Sequence, residues 1–234
     1  MGNVNDLIFI EGHRDRFRGP YLEVGAKDYG NTQDLRHLFS GAATYIGTDM
    51  EGGKGVDVVA DVAEDISVLR EAFGMEAFGT IFCLSVLEHC KDPFGVARNL
   101  TSLLEPGGVI CISVPFALGL HAYPADYWRF THEGIQQLFP DLSFDMELAC
   151  AATTRRNDFT AVGKDLGRIP FSSTYHFRKG QTARGVSVRI LRTLSRMGVL
   201  RWLSDYKYIM PPTHIYMVGE LKKHDARGGT GRIA

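Results

Sequence analysis

The stretch Tyr21-Leu22-Glu23-Val24-Gly25-Ala26-Lys27-Asp28-Tyr29-Gly30 decides how this chain reads. An apolar run meets an acidic residue, then a glycine-bearing turn about where a helix should begin. Open α/β sheets present nucleotide sites in that way, with the strand's carboxyl end, a tight turn and a helix start brought together. The run predicts a strand over Tyr21–Gly25. A helix is expected from near Asn31 or Thr32, with Leu35, Leu38 and Phe39 at helical spacing and a stop around Gly41.

Outward from this stretch the pattern repeats. Asp49 closes a second apolar run (Ala43–Asp49), Asp61 a third (Val56–Asp61) and Ser85 a fourth (Thr80–Ser85). Between them lies a helix over Asp65–Phe73, ended by Gly74. Another starts near Pro93, a residue suited to a first helical turn, and runs to a Pro106-Gly107-Gly108 stop before a fifth strand, Val109–Val114. The alternation predicts parallel strands joined by right-handed crossovers, with helices on both faces. The ends of the first four strands then share one rim, and an adenosine-containing cofactor is expected there.

Beyond strand five the rhythm changes. Pro115–Phe130 is rich in aromatics, Thr131 can cap a helix running to Phe139, and Phe144–Ala149 reads as a sixth strand. More than sixty residues then pass before His214–Leu221 supplies a final strand. No internal repeat is visible.

With 234 residues, 44% hydrophobic and 23% charged, the chain suits one large α/β domain, residues 1–234, carrying an insertion over 155–212. A formal charge of -1 argues against bulk attraction to nucleic acid. Cys83, Cys90, Cys111 and Cys150 form no CxxC pair, and Cys83 and Cys111 fall in expected buried strands, so they read as reduced thiols of a cytoplasmic protein. The start, Met1-Gly2, has Asp6 where a myristoylation signal wants Ser or Thr, and no apolar stretch has the length of a membrane span. Residues 225–234, rich in Gly and Arg, read as a flexible tail.

The segment Phe82-Cys83-Leu84-Ser85-Val86-Leu87-Glu88-His89, followed by Asp92-Pro93 and by Leu104-Glu105-Pro106-Gly107-Gly108, is more specific than the glycine turn. With it, residues 20–150 and the last strand resemble the class I S-adenosylmethionine-dependent methyltransferases, in particular the small-molecule group with a Leu-Glu-His motif after strand four. The resemblance implies a Rossmann-like, seven-stranded, mostly parallel sheet with the last strand antiparallel between strands five and six. It also implies S-adenosyl-L-methionine lying across strands one to four. Carried over, Glu23, Gly25, Ala26 and Gly30 belong to the first loop, where backbone approaches the methionine part. Asp49 would accept from both ribose hydroxyls, a task suited to an acceptor-only carboxylate. Met50 would lie against adenine, Asp61 would accept from its exocyclic amine with Val62 beside it, and Ser85 with Val86 would line the methionine end. One departure stands out: the family's loop has glycine at every second position, whereas Lys27 and Tyr29 occupy two of these and Gly30 is displaced by one. A different, wider turn is implied.

Three residues are candidates for catalysis: His89, His121 and Asp126. An imidazole's pKa lies near working pH, which suits His89 as a base, although the same histidine can simply fix the loop after strand four. His121-Ala122-Tyr123-Pro124-Ala125-Asp126-Tyr127-Trp128-Arg129-Phe130-Thr131 follows strand five on the acceptor's side of the rim. Similar stretches accompany this group of methyltransferases, and His121 or Asp126 is the candidate to remove the acceptor's proton. The competing reading has the aromatics plugging the domain while Arg129 pairs with an acid.

Between Leu166 and Ser204 there is no Asp or Glu, but Arg168, Arg178, Lys179, Arg184, Arg189, Arg192, Arg196 and Arg201 fall there. Val188, Leu191, Leu194, Val199 and Leu203 suggest amphipathic helices broken near Gly198, with the arginines outside. Such an insertion can be a solvated lid, a clamp for a small, anionic acceptor, or a peripheral contact with an anionic membrane. Nucleic acid fits less well, since aromatics are sparse within the basic run. Methyl transfer to a small-molecule or glycan-like acceptor requires no metal, and no HExxH or comparable spacing is present. Two alternatives remain at this stage. One is a noncatalytic module that binds the cofactor or a nucleoside and holds a partner with the basic insertion. The other is an NAD-dependent dehydrogenase, which shares the strand, turn and acid but has a third glycine that is missing here.

Overall fold

The computed structural model describes residues 4–30, 34–39, 41, 44–121, 124–163, 169–202, 208–209 and 213–222. The expected helix start at Asn31 or Thr32, the start of strand two at Ala43, Arg168, Leu203 and the tail lie outside them.

The chain opens with helix α1 (Val4–Gly12), which the sequence reading did not anticipate. The strands β1 (Tyr21–Val24), β2 (Tyr45–Asp49), β3 (Val58–Val59), β4 (Phe78–Leu84) and β5 (Leu104–Pro115) follow. Helix α2 (Ile66–Phe73) lies between β3 and β4, and α3 (Pro93–Ser102) between β4 and β5. After α4 (His132–Leu138) come β6 (Leu142–Phe144), β7 (Cys150–Ala152) and β8 (Phe159–Ala161). A small antiparallel pair, β9 (Ile169–Pro170) with β10 (Tyr208–Ile209), brackets helices α5 (Ser173–Arg178) and α6 (Thr182–Arg196), and β11 (His214–Leu221) closes the main sheet.

The sheet order is β3-β2-β1-β4-β5-β11-β7-β8, with β6 also paired to β11. Strands β1 to β5 are mutually parallel, and β11 runs antiparallel to β5, as expected. Among the described residues the sheet has nine strands rather than seven. The expected sixth strand over Phe144–Ala149 is broken by a turn at Asp145, whose carboxylate accepts from the Glu147 and Leu148 N–H groups at 3.1 and 3.4 Å. Pairing with β11 therefore stops at Phe144 and resumes at Cys150, and β8 adds a further antiparallel edge.

Three smaller corrections have equally local causes. In place of the helix expected up to Gly41, the described residues form a 3-10 turn over Arg36–Phe39. Asp34 caps the Arg36 N–H at 2.9 Å, and Gly41 at φ +83° ends the turn. The third strand bridges β2 only at Val58–Val59. The fifth begins at Leu104, not Val109, because Leu104 pairs with Phe78 before the register shifts at Thr80. Gly107, at φ +74°, sits inside that irregularity.

Strand alternation sorts the core into two layers. Leu22, Val24, Ile81, Cys83, Ile110 and Ile112 pack against α2, α3 and α4. Tyr21, Phe82, Leu84, Val109 and Cys111 face α1 and the Arg36–Phe39 turn. Burying both faces holds the strand ends of β1 to β5 in fixed relation, and the site is built on those ends.

Candidate functional site

Parallel pairing of β2, β1 and β4 puts Val24 beside both Thr48 and Cys83, so the turns after these strands adjoin. Gly25 follows at φ +75°, and its N–H and that of Ala26 both donate to the Thr48 carbonyl, at 2.9 and 3.0 Å. A Cβ on Gly25 would lie 2.7 Å from Val86 Cγ2, so the β1 turn approaches the β4 turn too closely for a side chain. Ser85, at the tip of β4, holds φ +53°, a conformation rare for a residue with a Cβ, and its N–H is tied to the Ser113 carbonyl at 2.9 Å.

Asp49 ends β2. Its Oδ1 accepts from the Glu51 N–H at 3.2 Å and its Oδ2 from the Lys27 N–H at 3.4 Å. These bonds orient the carboxylate and leave further lone-pair positions on it. Met50, beside it, is 54% exposed. Asp61 accepts from the Ala63 N–H at 2.9 Å, and Val62 is buried with its carbonyl accepting from Asn99 Nδ2 at 2.9 Å. Positive φ at Gly25 and Ser85, a backbone approach that excludes a Cβ at Gly25 and an anchored carboxylate at Asp49 thus adjoin at the ends of β1, β4 and β2.

Two candidates stand elsewhere. Glu23 is buried and accepts the Tyr45 hydroxyl at 2.5 Å, so its side chain is engaged within the sheet. Burial pushes its pKa up, against the opposing effect of that hydroxyl. Gly30 is exposed at φ +94°, with its N–H on Asp28 Oδ1 at 2.8 Å, in a turn outside the cradle. Lys27, one of the two residues at which the sequence departs from the family loop, and its neighbour Asp28 clamp that turn onto residues 51–54. Lys27 Nζ meets Glu51 at 2.6 Å, and Lys54 Nζ meets Asp28 at 2.7 Å.

The three catalytic candidates converge beyond β4. A 3-10 turn over Leu87–His89 buries Glu88 completely. Among the described residues neither of its carboxylate oxygens has a hydrogen-bond partner, and burial drives its pKa up to about 8. His89 Nδ1 bonds the Ala125 carbonyl at 2.5 Å, while its Nε2 is buried without a partner. The His121 ring stands at 81° to that of His89, with centroids 5.1 Å apart. Its Nδ1 is 3.3 Å from Asp126 Oδ2, and its Nε2 is 4.0 Å from Glu88 Oε1.

Asp126 has other partners as well. Arg129 forks onto both its oxygens at 2.5 and 2.7 Å, and the His121 N–H donates to it at 2.9 Å. The guanidinium first, and then the His121 N–H, hold its pKa well below the usual carboxylate range against the effect of burial. The whole segment is laced to the 3-10 turn, since the Tyr127 N–H donates to the Glu88 carbonyl at 2.8 Å and Trp128 Nε1 to the Cys90 carbonyl at 2.9 Å.

Sequence reasoning passed over Glu88 as a site residue, treating it only as the neighbour of His89, because burial and a missing partner leave no mark in a sequence. It also passed over His214, whose pKa falls to about 4 through burial first and then the charges of His121 and Arg129. Its place at the start of the last strand gave no signal.

In the insertion, α6 turns Gly185, Val188 and Ser195 inward and leaves Arg184, Arg189, Arg192 and Arg196 exposed. Val186, Ile190 and Trp202 are exposed among them. No helix among the described residues is long and apolar enough to cross a membrane.

Residues 12–149 match the family model described as a methyltransferase domain. A ubiquinone biosynthesis O-methyltransferase of Xanthomonas euvesicatoria pv. vesicatoria is 33% identical over 82 residues, 33% of either chain, so the similarity spans about a third of that relative's length. Among solved structures, a putative methyltransferase from Bacillus halodurans superposes with a TM-score of 0.55 at 11% identity, covering 93% of this chain and 99% of that one. Burkholderia thailandensis 1,6-didemethyltoxoflavin-N1-methyltransferase, solved with 1,6-didemethyltoxoflavin and S-adenosylhomocysteine, gives 0.51 at 13% identity, covering 92% and 76%. At such identities these two structures establish a shared fold.

Proposed function

The chain belongs to the methyltransferase-domain family, and we propose that it transfers the methyl group of S-adenosylmethionine to an oxygen of a small or glycan-like acceptor seated between the rim and the Glu88–His89–His121 cluster. Oxygen is favoured because the curated relatives are named O-methyltransferases. One observation carries this reading: the turn after β4 has the strained Ser85 at one end and His89 at the other, so cofactor and acceptor would meet across a few residues of backbone.

The cofactor supplies a methyl group already activated by positive sulfur. The protein's share is binding, alignment and water exclusion, and alignment alone can contribute about 7–11 kcal/mol. In this proposal Gly25, Ala26, Ser85 and Val86 shape the methionine end, Asp49 takes the ribose hydroxyls, Met50 covers the adenine face, and Asp61 with Val62 bounds the adenine edge. Glu23 supports the cradle through Tyr45, and Gly30 shapes the outer turn. The acceptor's proton is lost at the histidine cluster, with Asp126 orienting His121.

The arginine-rich region 155–212 acts as a lid over the same domain and favours an anionic acceptor or a peripheral anionic surface over nucleic acid. Four free thiols suit a cytoplasmic setting. The test is titration of the full chain with S-adenosylhomocysteine beside His121→Ala. Tight binding by both, with turnover lost in the variant across a hydroxyl-acceptor screen, is expected. Absence of binding by the native chain overturns the reading.

A further inference from the structure

We propose that Glu88, His89 and His121 form a binding site for a divalent transition-metal ion, with an open position toward the acceptor. The ion binding stands on side-chain geometry alone, while its use in methyl transfer rests on the acceptor placement above.

The argument begins with unsatisfied atoms. Buried polar groups nearly always find hydrogen-bond partners, and leaving one without costs roughly 1–3 kcal/mol, more for a charge. Here Glu88 Oε1, Glu88 Oε2 and His89 Nε2 are all buried and, among the described residues, unpartnered, and they belong to adjacent residues of one turn. His89 Nε2 lies 3.9 Å from Glu88 Oε1, and His121 Nε2 lies 4.0 Å from the same oxygen. One ligand atom from each of the three side chains falls within 4.8 Å of the others. Such gaps are too long for hydrogen bonds but close to the edge of a coordination polyhedron. Metal bonds of about 2.1 Å place tetrahedral ligands about 3.4 Å apart. Small rotations of Glu88 and of His121, whose side chain is 37% exposed, would close the difference.

The outer nitrogens supply a second, independent observation. A metal-binding histidine commonly fixes its remaining ring nitrogen on a carbonyl or carboxylate, which sets the tautomer and aims the free nitrogen at the ion. His89 Nδ1 is fixed on the Ala125 carbonyl at 2.5 Å, and His121 Nδ1 faces Asp126 Oδ2 at 3.3 Å. Both rings therefore direct Nε2 toward Glu88. Arg129 would oppose a cation nearby, but Asp126 neutralises it through a two-point pair.

Two imidazoles and one carboxylate suit zinc, manganese, iron or cobalt rather than the all-oxygen shells preferred by magnesium and calcium. Three protein ligands leave room for a fourth from solvent or substrate, as in catalytic rather than structural sites. An acceptor oxygen entering there would lie beside the Ser85 turn. Glu88 and His89 are far from His121 in sequence, so no motif spacing announces the set.

The experiment uses the full chain after chelator dialysis, titrated with Co²⁺ and then with Zn²⁺. The expected result is a visible d–d absorption that saturates at one equivalent of Co²⁺ and is displaced by Zn²⁺. Glu88→Gln and His121→Asn should each weaken Co²⁺ binding at least tenfold while leaving S-adenosylhomocysteine affinity unchanged, which shows that the fold survives. A featureless cobalt titration, or a Co²⁺ affinity in either variant unchanged from that of the native chain, overturns the site. If cobalt binds as described but S-adenosylhomocysteine does not, the methyltransferase placement fails and the metal site stands.

Discussion

Tyr45 on β2 donates its hydroxyl to Glu23 on β1 at 2.5 Å, so the acid that marks the first strand in sequence is engaged by its neighbouring strand instead of facing the rim. The pair is a polar link between β1 and β2 just before the turn at Gly25, and its removal has a pH signature. Burial raises the folded pKa of Glu23 above its ordinary value, and the Tyr45 hydroxyl partly offsets this. A raised folded pKa means the native state holds its proton longer than the unfolded chain. Stability from this group is therefore full below the ordinary carboxylate pKa and declines as pH rises through the folded one. Tyr45→Phe removes the donor that favours the charged form. The expected cost is about 1.5–3 kcal/mol at pH 8 and less at pH 5, read from denaturant unfolding at both values. An equal loss at the two pH values would show that Glu23 does not titrate between them.

At Asp49 the expectation concerns binding, not stability. Its backbone bonds orient the carboxylate from outside, so Asp49→Ala should keep the fold and weaken S-adenosylhomocysteine by roughly 2–3 kcal/mol, the loss of two charge-assisted bonds. Calorimetric titration measures it, and unchanged affinity would place the ribose elsewhere.

Gly25→Ala meets two obstacles, positive φ and Val86 Cγ2 at 2.7 Å from the new Cβ. Only the second is relieved by Val86→Ala. The double variant should recover part of the lost thermal stability and remain about 1–2 kcal/mol short, the cost of a left-handed alanine. Full recovery in the double variant would mean that the backbone shifts out of the left-handed region.

Arg129→Lys replaces a fork with a point charge and cannot hold both Asp126 oxygens together with the Leu118 carbonyl, which Arg129 contacts at 3.2 Å. The stretch around Trp128, a side chain already partly exposed, should loosen and give up the bond from Trp128 Nε1 to the Cys90 carbonyl. In a Trp202→Phe background Trp128 fluorescence is the chain's single tryptophan signal, and a red shift with faster proteolysis in this segment is expected. An unshifted spectrum would indicate that the backbone bonds to the Glu88 carbonyl suffice.

Asp92-Pro93, part of the family resemblance, has a purely local role. Asp92 caps α3 through the Gly95 N–H at 2.9 Å, and Pro93 occupies its first turn. Asp92→Ala should lower stability by about 1 kcal/mol and leave S-adenosylhomocysteine binding untouched, as thermal unfolding with and without ligand would show.

The antiparallel β11 was legible only through the family resemblance, whereas the parallel core from β1 to β5 and the residues at or just past its strand ends, Gly25, Asp49, Asp61 and Ser85, were determined by the sequence itself. The core and its strand ends follow from local patterning: an apolar run of strand length, a polar residue at its end, a glycine or proline where a helix starts or stops. Tertiary structure alone decided that Glu23 turns to Tyr45, that Asp145 splits the sixth strand, and that Glu88 is buried without a partner between His89 and His121. These outcomes depend on burial and on contacts between residues distant along the chain. A carboxylate's surroundings fix both its partner and its charge, and those surroundings exist only once the sheet and the 116–130 segment have closed around it.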